Sequence, residues 1–300
     1  MKKYELCCVG HITHDRVVTP KESVEMPGGT AYYFANAMRQ FSEADFVLVT
    51  AVGEEGMPAV EALRAKGVEV VLQPSKHSVF FENIYGEDPN KRTQRVLSKA
   101  DPFTFESMQQ VAADIYHLGS LLADDFSNEV VKAIAAQGLV SMDSQGFLRE
   151  VRGTDVFAVD WADKCEMLRY VHYLKLNEYE MEVLTGTNDI CAAAQKLYSW
   201  GVKESIITLG DLGSVIYDGE TFYRIPAYLV DGEIVDVTGC GDTYMTGYLY
   251  KRSKGESIPD CGTFAAAMSS LKIKAMGYFH GTEQDVYDFM ATAAQRLPEL

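Results

Sequence analysis

Asp236-Val237-Thr238-Gly239-Cys240-Gly241-Asp242 runs directly into Thr243-Tyr244-Met245-Thr246-Gly247-Tyr248-Leu249-Tyr250. Two glycines two residues apart let the backbone turn tightly and present successive N–H groups on one side. A helix is predicted to begin at once, so its unpaired N–H groups and the positive end of its dipole face the same point. The product is an anion hole with Asp242 at its mouth. Those N–H groups are expected to keep the carboxylate ionised and able to accept a proton. An anion hole beside a base suits phosphoryl transfer to a hydroxyl, which depends on positioning and charge stabilisation more than on covalent chemistry. The same residues would equally serve a plain helix start, with Asp242 as its cap and the glycines shaping a turn.

Upstream, short apolar runs alternate with amphipathic segments. Tyr4 to Val9, Phe46 to Val52, Ile115 to Leu118, Leu139 to Asp143, Tyr173 to Leu176 and Ser205 to Leu209 read as buried strands. Gly56 to Lys66, Phe126 to Ala136 and Ile190 to Trp200 gather their apolar residues on one helical face. This alternation predicts an α/β fold with a mostly parallel sheet covered on both faces. His14 to Pro27 and Ser78 to Ala100 break it. They read as strands, the second pair around a Gly86-Glu87-Asp88-Pro89-Asn90 turn, and could pair as a small projecting sheet. From Thr243 onward the chain reads as mainly helical. In open α/β sheets ligands sit at the carboxyl ends of strands, which directs attention to Gly10-His11, Asp143 to Gly146, Asn177-Glu178, Gly210 and Val235 to Asp242.

The 300 residues carry 43 acidic and 27 basic side chains, a net charge of -16. Such a surface repels nucleic acid and anionic lipid head groups, so neither is an expected partner. An anionic ligand must be held by local donors. Cys7, Cys8, Cys165, Cys191, Cys240 and Cys261 form no C-x-x-C pair and no disulfide framework. Free thiols, an N-terminal apolar run too short for a signal peptide and no stretch of membrane-spanning length predict a cytoplasmic protein. No G-x-x-x-x-G-K-[ST] is present, and no complete G-x-G-x-x-G follows the first strand.

Asp236 to Asp242 resembles the C-terminal signature of the ribokinase-like (phosphofructokinase-B type) carbohydrate kinases, an Asp-Thr-x-Gly-Ala-Gly-Asp run, with Val237 and Cys240 replacing the usual Thr and Ala. The resemblance implies Asp242 as catalytic base and Gly239, Cys240 and Gly241 as the anion hole. Other segments stand in the family's order. Gly10 to Asp15 resembles the first strand and turn, whose Asp binds substrate hydroxyls, and Pro27-Gly28-Gly29 resembles the N-terminal di-glycine. Leu176-Asn177-Glu178-Tyr179-Glu180 resembles the Asn-x-x-Glu motif, implying that Asn177 and, through water, Glu180 organise Mg²⁺ and phosphates. Thr208-Leu209-Gly210 with Gly213 resembles the nucleotide-side turn. The implied protein is a single three-layer ribokinase-like domain over 1–300, with a discontinuous β lid from about 12–27 and 76–100, using ATP and Mg²⁺. An exposed lid edge can pair with that of a second copy, which allows a homodimer through the lid.

Tyr33 stands where the family often has an Asn that holds a sugar hydroxyl. A tyrosine cannot copy an amide's paired donor and acceptor, but it can cover an apolar ring face. Gly10-His11-Ile12-Thr13-His14-Asp15, Gly28-Gly29-Thr30-Ala31-Tyr32-Tyr33 and Asp143 to Arg149 look more like the inositol kinase branch. The substrate-binding candidates are therefore Asp15, Gly28, Gly29, Tyr33, Gln145 and Arg149, and the substrate a small sugar or polyol such as myo-inositol. Lys91, Arg92 and Arg95 concentrate positive charge in the lid, with Arg95 the best placed to reach substrate. Two rivals stand beside this reading: a nucleoside kinase, with Tyr33 or Phe80 supplying an apolar slot for the base, and a catalytically silent ligand-binding protein.

Overall fold

The computed structural model describes residues 2–20, 22–85 and 92–299. The chain opens with β1 (Lys3–Gly10), β2 (Thr13–Val18), β3 (Ser23–Gly28), α1 (Thr30–Met38), β4 (Phe46–Val52), α2 (Met57–Ala65) and β5 (Val70–Pro74). Next come β6 (Val79–Tyr85), β7 (Arg92–Ser98), β8 (Ala112–Gly119), α3 (Asn128–Ala135), β9 (Leu139–Asp143), β10 (Arg149–Arg152) and β11 (Asp155–Ala158). They are followed by α4 (Lys164–Met167), β12 (Val171–Asn177), α5 (Glu178–Thr185), α6 (Ile190–Trp200), β13 (Glu204–Thr208), β14 (Ser214–Tyr217) and β15 (Phe222–Ile225). The chain closes with β16 (Ala227–Tyr228), α7 (Cys240–Ser253), α8 (Ile258–Lys272), α9 (Glu283–Thr292) and β17 (Gln295–Arg296).

A nine-stranded sheet runs β15-β14-β13-β12-β9-β8-β1-β4-β5. It is parallel from β13 to β5, and β14 and β15 add an antiparallel edge. Successive strand residues point to opposite faces, and β1 divides accordingly. Cys7 and Val9 enter the core shared with α3, α5 and α6, while Leu6 and Cys8 enter the core shared with α1, α2, α7, α8 and α9. Helices thus cover both faces, as the near-continuous apolar runs of the strands require. β1, β8, β9, β12 and β13 bring Gly10, Gly119, Asp143, Asn177 and Thr208 to one end of the sheet.

A second sheet, ordered β10-β11-β7-β6-β2-β3, lies over that end. The segments read from sequence as the lid supply four of its strands. The hairpin of β10 and β11 extends it past β7, which residue pattern had not indicated, because Arg149–Arg152 is too short and polar to stand out as a strand. The Gly86 to Asn90 turn and Lys91 lie outside the described residues, as does the Arg92 side chain.

Candidate active site

A cavity of about 310 Å³ opens between the two sheets. Its floor is the start of α7. Gly239 takes φ 73°, the left-handed region that favours glycine. A Cβ there would also lie 2.6 Å from the Tyr33 ring, so the bare turn lets that ring pack flat on it. No side chain caps α7, nor does one cap α1, whose preceding residue Gly29 takes φ 85°. Two helix starts with unspent N–H groups therefore meet at the cavity, and both favour negative charge there.

The turn is pinned from behind. Lys272 Nζ, fully buried, donates to Asp236 Oδ2 at 2.9 Å and to the Asp236 carbonyl at 2.8 Å. Asp236 Oδ1 accepts from the Thr238 N–H at 2.8 Å, Oδ2 accepts from the Gly277 N–H at 3.0 Å, and Ser269 Oγ donates to the Cys240 carbonyl. Burial opposes the charge of Asp236, but Lys272 and the Thr238 N–H outweigh it and lower its pKa.

Asp242 is half-buried, with one side on the cavity. Burial, then the neighbouring Asp143 charge, pushes its carboxyl up to about 6, against the opposing effects of a Thr30 hydrogen bond, Lys175 and Arg149. The sequence led us to expect a carboxylate held firmly ionised by helix amides, and desolvation beside a second acid overrides them. At neutral pH it remains mostly ionised and is a stronger base than an ordinary carboxylate.

Lys175 was missed from the sequence. It interrupts the apolar run of β12 and lies beside Asp143 across the β12–β9 register, with Nζ 2.8 Å from Asp143 Oδ2. Both are buried and line the cavity. Burial works against the ammonium, yet Asp143, then Glu180 and Asp242, raise its pKa, so it stays charged. Its Nζ is close enough to the start of α7 that a Cβ on Gly241 would be 2.7 Å away. A lone lysine inside an apolar strand was the available signal.

The opposite wall comes from the lid sheet and nearby loops. Asp15 lies within β2, not in a turn, and accepts from Thr13 Oγ1 at 2.7 Å. Asn83 and Gln94 also line the cavity, as do Phe81, Leu121, Gln145 and Arg149. Of the residues singled out from sequence, Asp15, Gly29, Tyr33, Gln145, Arg149, Asn177, Thr208, Gly239, Cys240, Gly241 and Asp242 share this one cavity.

Six others do not line it. Gly28 is buried behind Asp15, and its bare Cα leaves room for that carboxylate. Glu180 is turned into the start of α5: Oε2 accepts from the Asn177 N–H at 3.0 Å and Ser144 Oγ at 3.2 Å, and Oε1 from Asn177 Nδ2 at 2.9 Å. It completes a capping box. Gly210 and Gly213 belong to the turn before β14, where the Gly213 N–H donates to the Gly210 carbonyl and the Gly213 carbonyl accepts from the Leu209 N–H. In the lid, Arg95 alternates away from the cavity to Glu82 and Thr154, and Phe80 turns to His14 and Arg16. Phe81, one residue on, takes the cavity position expected for Phe80. Among the described residues no group of three or more His, Cys, Asp and Glu side chains is arranged to hold a metal.

Residues 4–284 match the family described as pfkB family carbohydrate kinase. The chain belongs to that family. This pfkB kinase is 27% identical to the cytidine kinase of Thermococcus kodakarensis over 269 residues, covering 86% of this chain and 91% of the relative. A pyrophosphate-dependent kinase of the ribokinase family, solved with sulfate, superposes with a TM-score of 0.83 at 28% identity, covering 94% of this chain and 99% of the other. A pyrophosphate-dependent kinase complexed with a pyrophosphate analogue and myo-inositol gives 0.82 at 26%, with the same coverage. The pfkB kinase is thus a phosphotransferase, a sugar or nucleoside kinase with the ribokinase-like α/β architecture and a small second sheet.

Proposed function

We propose that this pfkB kinase transfers the terminal phosphoryl group of ATP to a hydroxyl of a small polyol or sugar, with myo-inositol the leading candidate. One observation carries the reading: Asp242 lies where two uncapped helix starts and the Lys175 ammonium meet, facing a wall of polar side chains across one cavity. The acceptor lies under the lid sheet, its hydroxyls bonded by Asp15 and by Gln145 or Arg149, with Tyr33 and Phe81 covering its apolar faces. Asp242 removes the proton from the attacking hydroxyl. The amides of Gly239, Cys240 and Gly241 and the Lys175 ammonium stabilise charge on the phosphoryl group in transit. Asn177 and Thr208 bound the donor side. Mg²⁺ would arrive with the polyphosphate and keep most of its water, since both Glu180 and Asn177, which lines the cavity, spend their side chains on the capping box at the start of α5.

A nucleotide donor is favoured by Ile234, Val235 and Val237, exposed apolar side chains leading to the cavity rim, which an inorganic donor would leave uncovered. Pyrophosphate is the second reading, because two of the similar solved structures are pyrophosphate-dependent. For the acceptor, a cytidine kinase among the relatives favours a nucleoside as the alternative. The polar lid wall of Asp15, Asn83 and Gln94 argues for a ring bearing several hydroxyls. A panel of myo-inositol, hexoses, ribose and cytidine, each with ATP and with pyrophosphate, tests both choices. Preferred turnover of a nucleoside would replace the polyol assignment. Phosphate release unaffected by every acceptor would leave only a ligand-binding protein.

A further inference from the structure

We infer that Arg95 is a positioning residue: from the outer face of the lid sheet it ties down the β10–β11 hairpin, and so holds Arg149, at the root of that hairpin, beside Asp242 and the reacting hydroxyl. The inference rests on the kinase reading and deepens it. On the outer face a row of side chains crosses the lid strand by strand. Glu25 in β3 opposes Arg16 in β2, Arg16 opposes Glu82 in β6, and Glu82 opposes Arg95 in β7. Each opposed pair is bonded. Arg16 Nε donates to Glu25 Oε1 at 2.9 Å, Arg16 Nη1 to Glu82 Oε1 at 3.4 Å, and Arg95 Nη1 to Glu82 Oε2 at 3.4 Å. The row ends on the hairpin, where Arg95 Nε and Nη2 donate to Thr154 Oγ1 at 3.3 and 3.1 Å. Side chains alternate along a strand, so the residues one step earlier in β2 and β6, Asp15 and Phe81, face the cavity.

The hairpin needs such a tie. Two strands of four residues are marginal on their own in water. β11 meets β7 at a single register, Asp155 opposite Arg95, supplemented by a bond from the Val96 N–H to the Thr154 carbonyl at 2.8 Å. Val151 and Val156 rest on the apolar cluster of Val79, Phe81 and Val96, a contact that holds the ribbon down without aiming it. The guanidinium aims it, because two N–H groups of one rigid fork converge on a single hydroxyl at the Gly153-Thr154 turn. At the root, the Arg149 carbonyl accepts from the Ala123 N–H at 2.9 Å, which pins β10 at one point. The tie at the tip is the second point, and two points fix the direction in which β10 and its Arg149 side chain project. Arg149 lines the cavity, and its charge is one of those that oppose the rise in the Asp242 pKa. The same row backs Asp15 and Phe81, so the acceptor wall and Arg149 keep one register. Ion pairs as exposed as these add little to folding, so the role of the row is read in kinetics and not in stability.

The test uses the full chain and five variants: Arg95→Leu, Thr154→Val, Thr154→Ser, Arg149→Leu, and Arg95→Leu combined with Arg149→Leu. Each is assayed with whichever acceptor of the panel turns over fastest, so a nucleoside acceptor would remove the polyol reading and leave this inference measurable. We expect Arg95→Leu and Thr154→Val to lose about ten- to a hundredfold in kcat/KM, the scale of a misplaced catalytic group, at an unchanged urea midpoint. Thr154→Ser keeps the hydroxyl and should keep the wild-type rate. Moving a positive charge away from Asp242 raises its pKa, so the acid limb of kcat/KM should shift to higher pH in Arg95→Leu and Thr154→Val. The other groups that face Asp242 stay in place: Asp143 on β9, Lys175 on β12, Thr30 and Tyr33 on α1, Cys8 on β1 and Cys240 on α7. The double variant should be no slower than Arg149→Leu alone. Losses that multiply in the double variant, or an acid limb that stays where it is in Arg95→Leu and Thr154→Val, would overturn the inference. Wild-type turnover by Asp242→Asn would instead remove the base from the kinase reading, while the kcat cycle between Arg95 and Arg149 would still report on the tie. No turnover with any acceptor would defeat both.

Discussion

At the scale of single residues, Asp242 determines what the cavity can do. Removal of a positioned general base costs about 10²- to 10⁴-fold in turnover, so Asp242→Asn should lose that much kcat while its affinity for donor, measured by calorimetry, changes little. Turnover within tenfold of wild type would transfer the base role elsewhere. The raised pKa gives a second, independent prediction. Burial and Asp143 lift the Asp242 carboxyl to about 6, and only its ionised form can accept a proton. kcat/KM should therefore fall about tenfold per pH unit below about 6, and the limb should move lower when Asp143 is replaced by Asn. The folded state holds this proton more tightly than the unfolded chain does, so ionisation costs stability above the folded pKa. That cost vanishes as pH drops below the unfolded value, near 3.8. Asp242→Asn should accordingly be more stable than wild type at pH 8, on the order of 1 kcal/mol, with the gap closing on acidification. The base itself was legible in sequence because the Gly-Cys-Gly-Asp order is local. Its pKa and its partner Lys175 were not, since both arise from β9 and β12, 65 residues or more away in the chain.

At the scale of elements, the segment before α7 behaves as part of α8. Lys272 is fully buried, and its ammonium spends its bonds on Asp236. Replacing it by Met leaves a half-buried carboxylate with only N–H partners. Breaking one side of such a pair costs about 3–5 kcal/mol, and the loss should be visible by urea unfolding as a lower midpoint at unchanged slope. Turnover should fall as well, because the Gly239 turn loses its anchor, and a Lys272→Met protein with wild-type stability and kcat would refute the anchor. Six of the parallel strands were readable because each is a short apolar run ending near a Gly, Asp or Asn, while the edge strand β5 was not read. The edge strands β14 and β15 and the hairpin of β10 and β11 were not, because edge pairing needs no continuous apolar pattern. Asn177 and Glu180 illustrate a different limit: a capping box and a ligand pair use the same residues at the same spacing, and only coordinates show both Glu180 oxygens bonded to the chain.

At the scale of the whole molecule, an acidic chain must admit an anionic donor to a few local cationic groups. The chain carries -16, while the cavity sets Lys175, Arg149 and two helix starts among Asp15, Asp143 and Asp242. An anionic donor must cross a repulsive field before meeting donors that bind it. Salt screens the long-range field over about 10 Å at 0.1 M, but it weakens the buried Lys175 contact far less. Raising ionic strength from 10 to 150 mM should therefore lower the KM for the polyphosphate, about two- to fivefold, and leave the KM for the uncharged acceptor unchanged as an internal control. Most phosphate-binding sites on basic proteins respond in the opposite sense. Sodium chloride and choline chloride should act alike, since screening depends on ionic strength and not on the cation. A donor KM that rises with both salts would mean that the local cations set the approach, and that the acidic surface lies too far from the cavity mouth to matter.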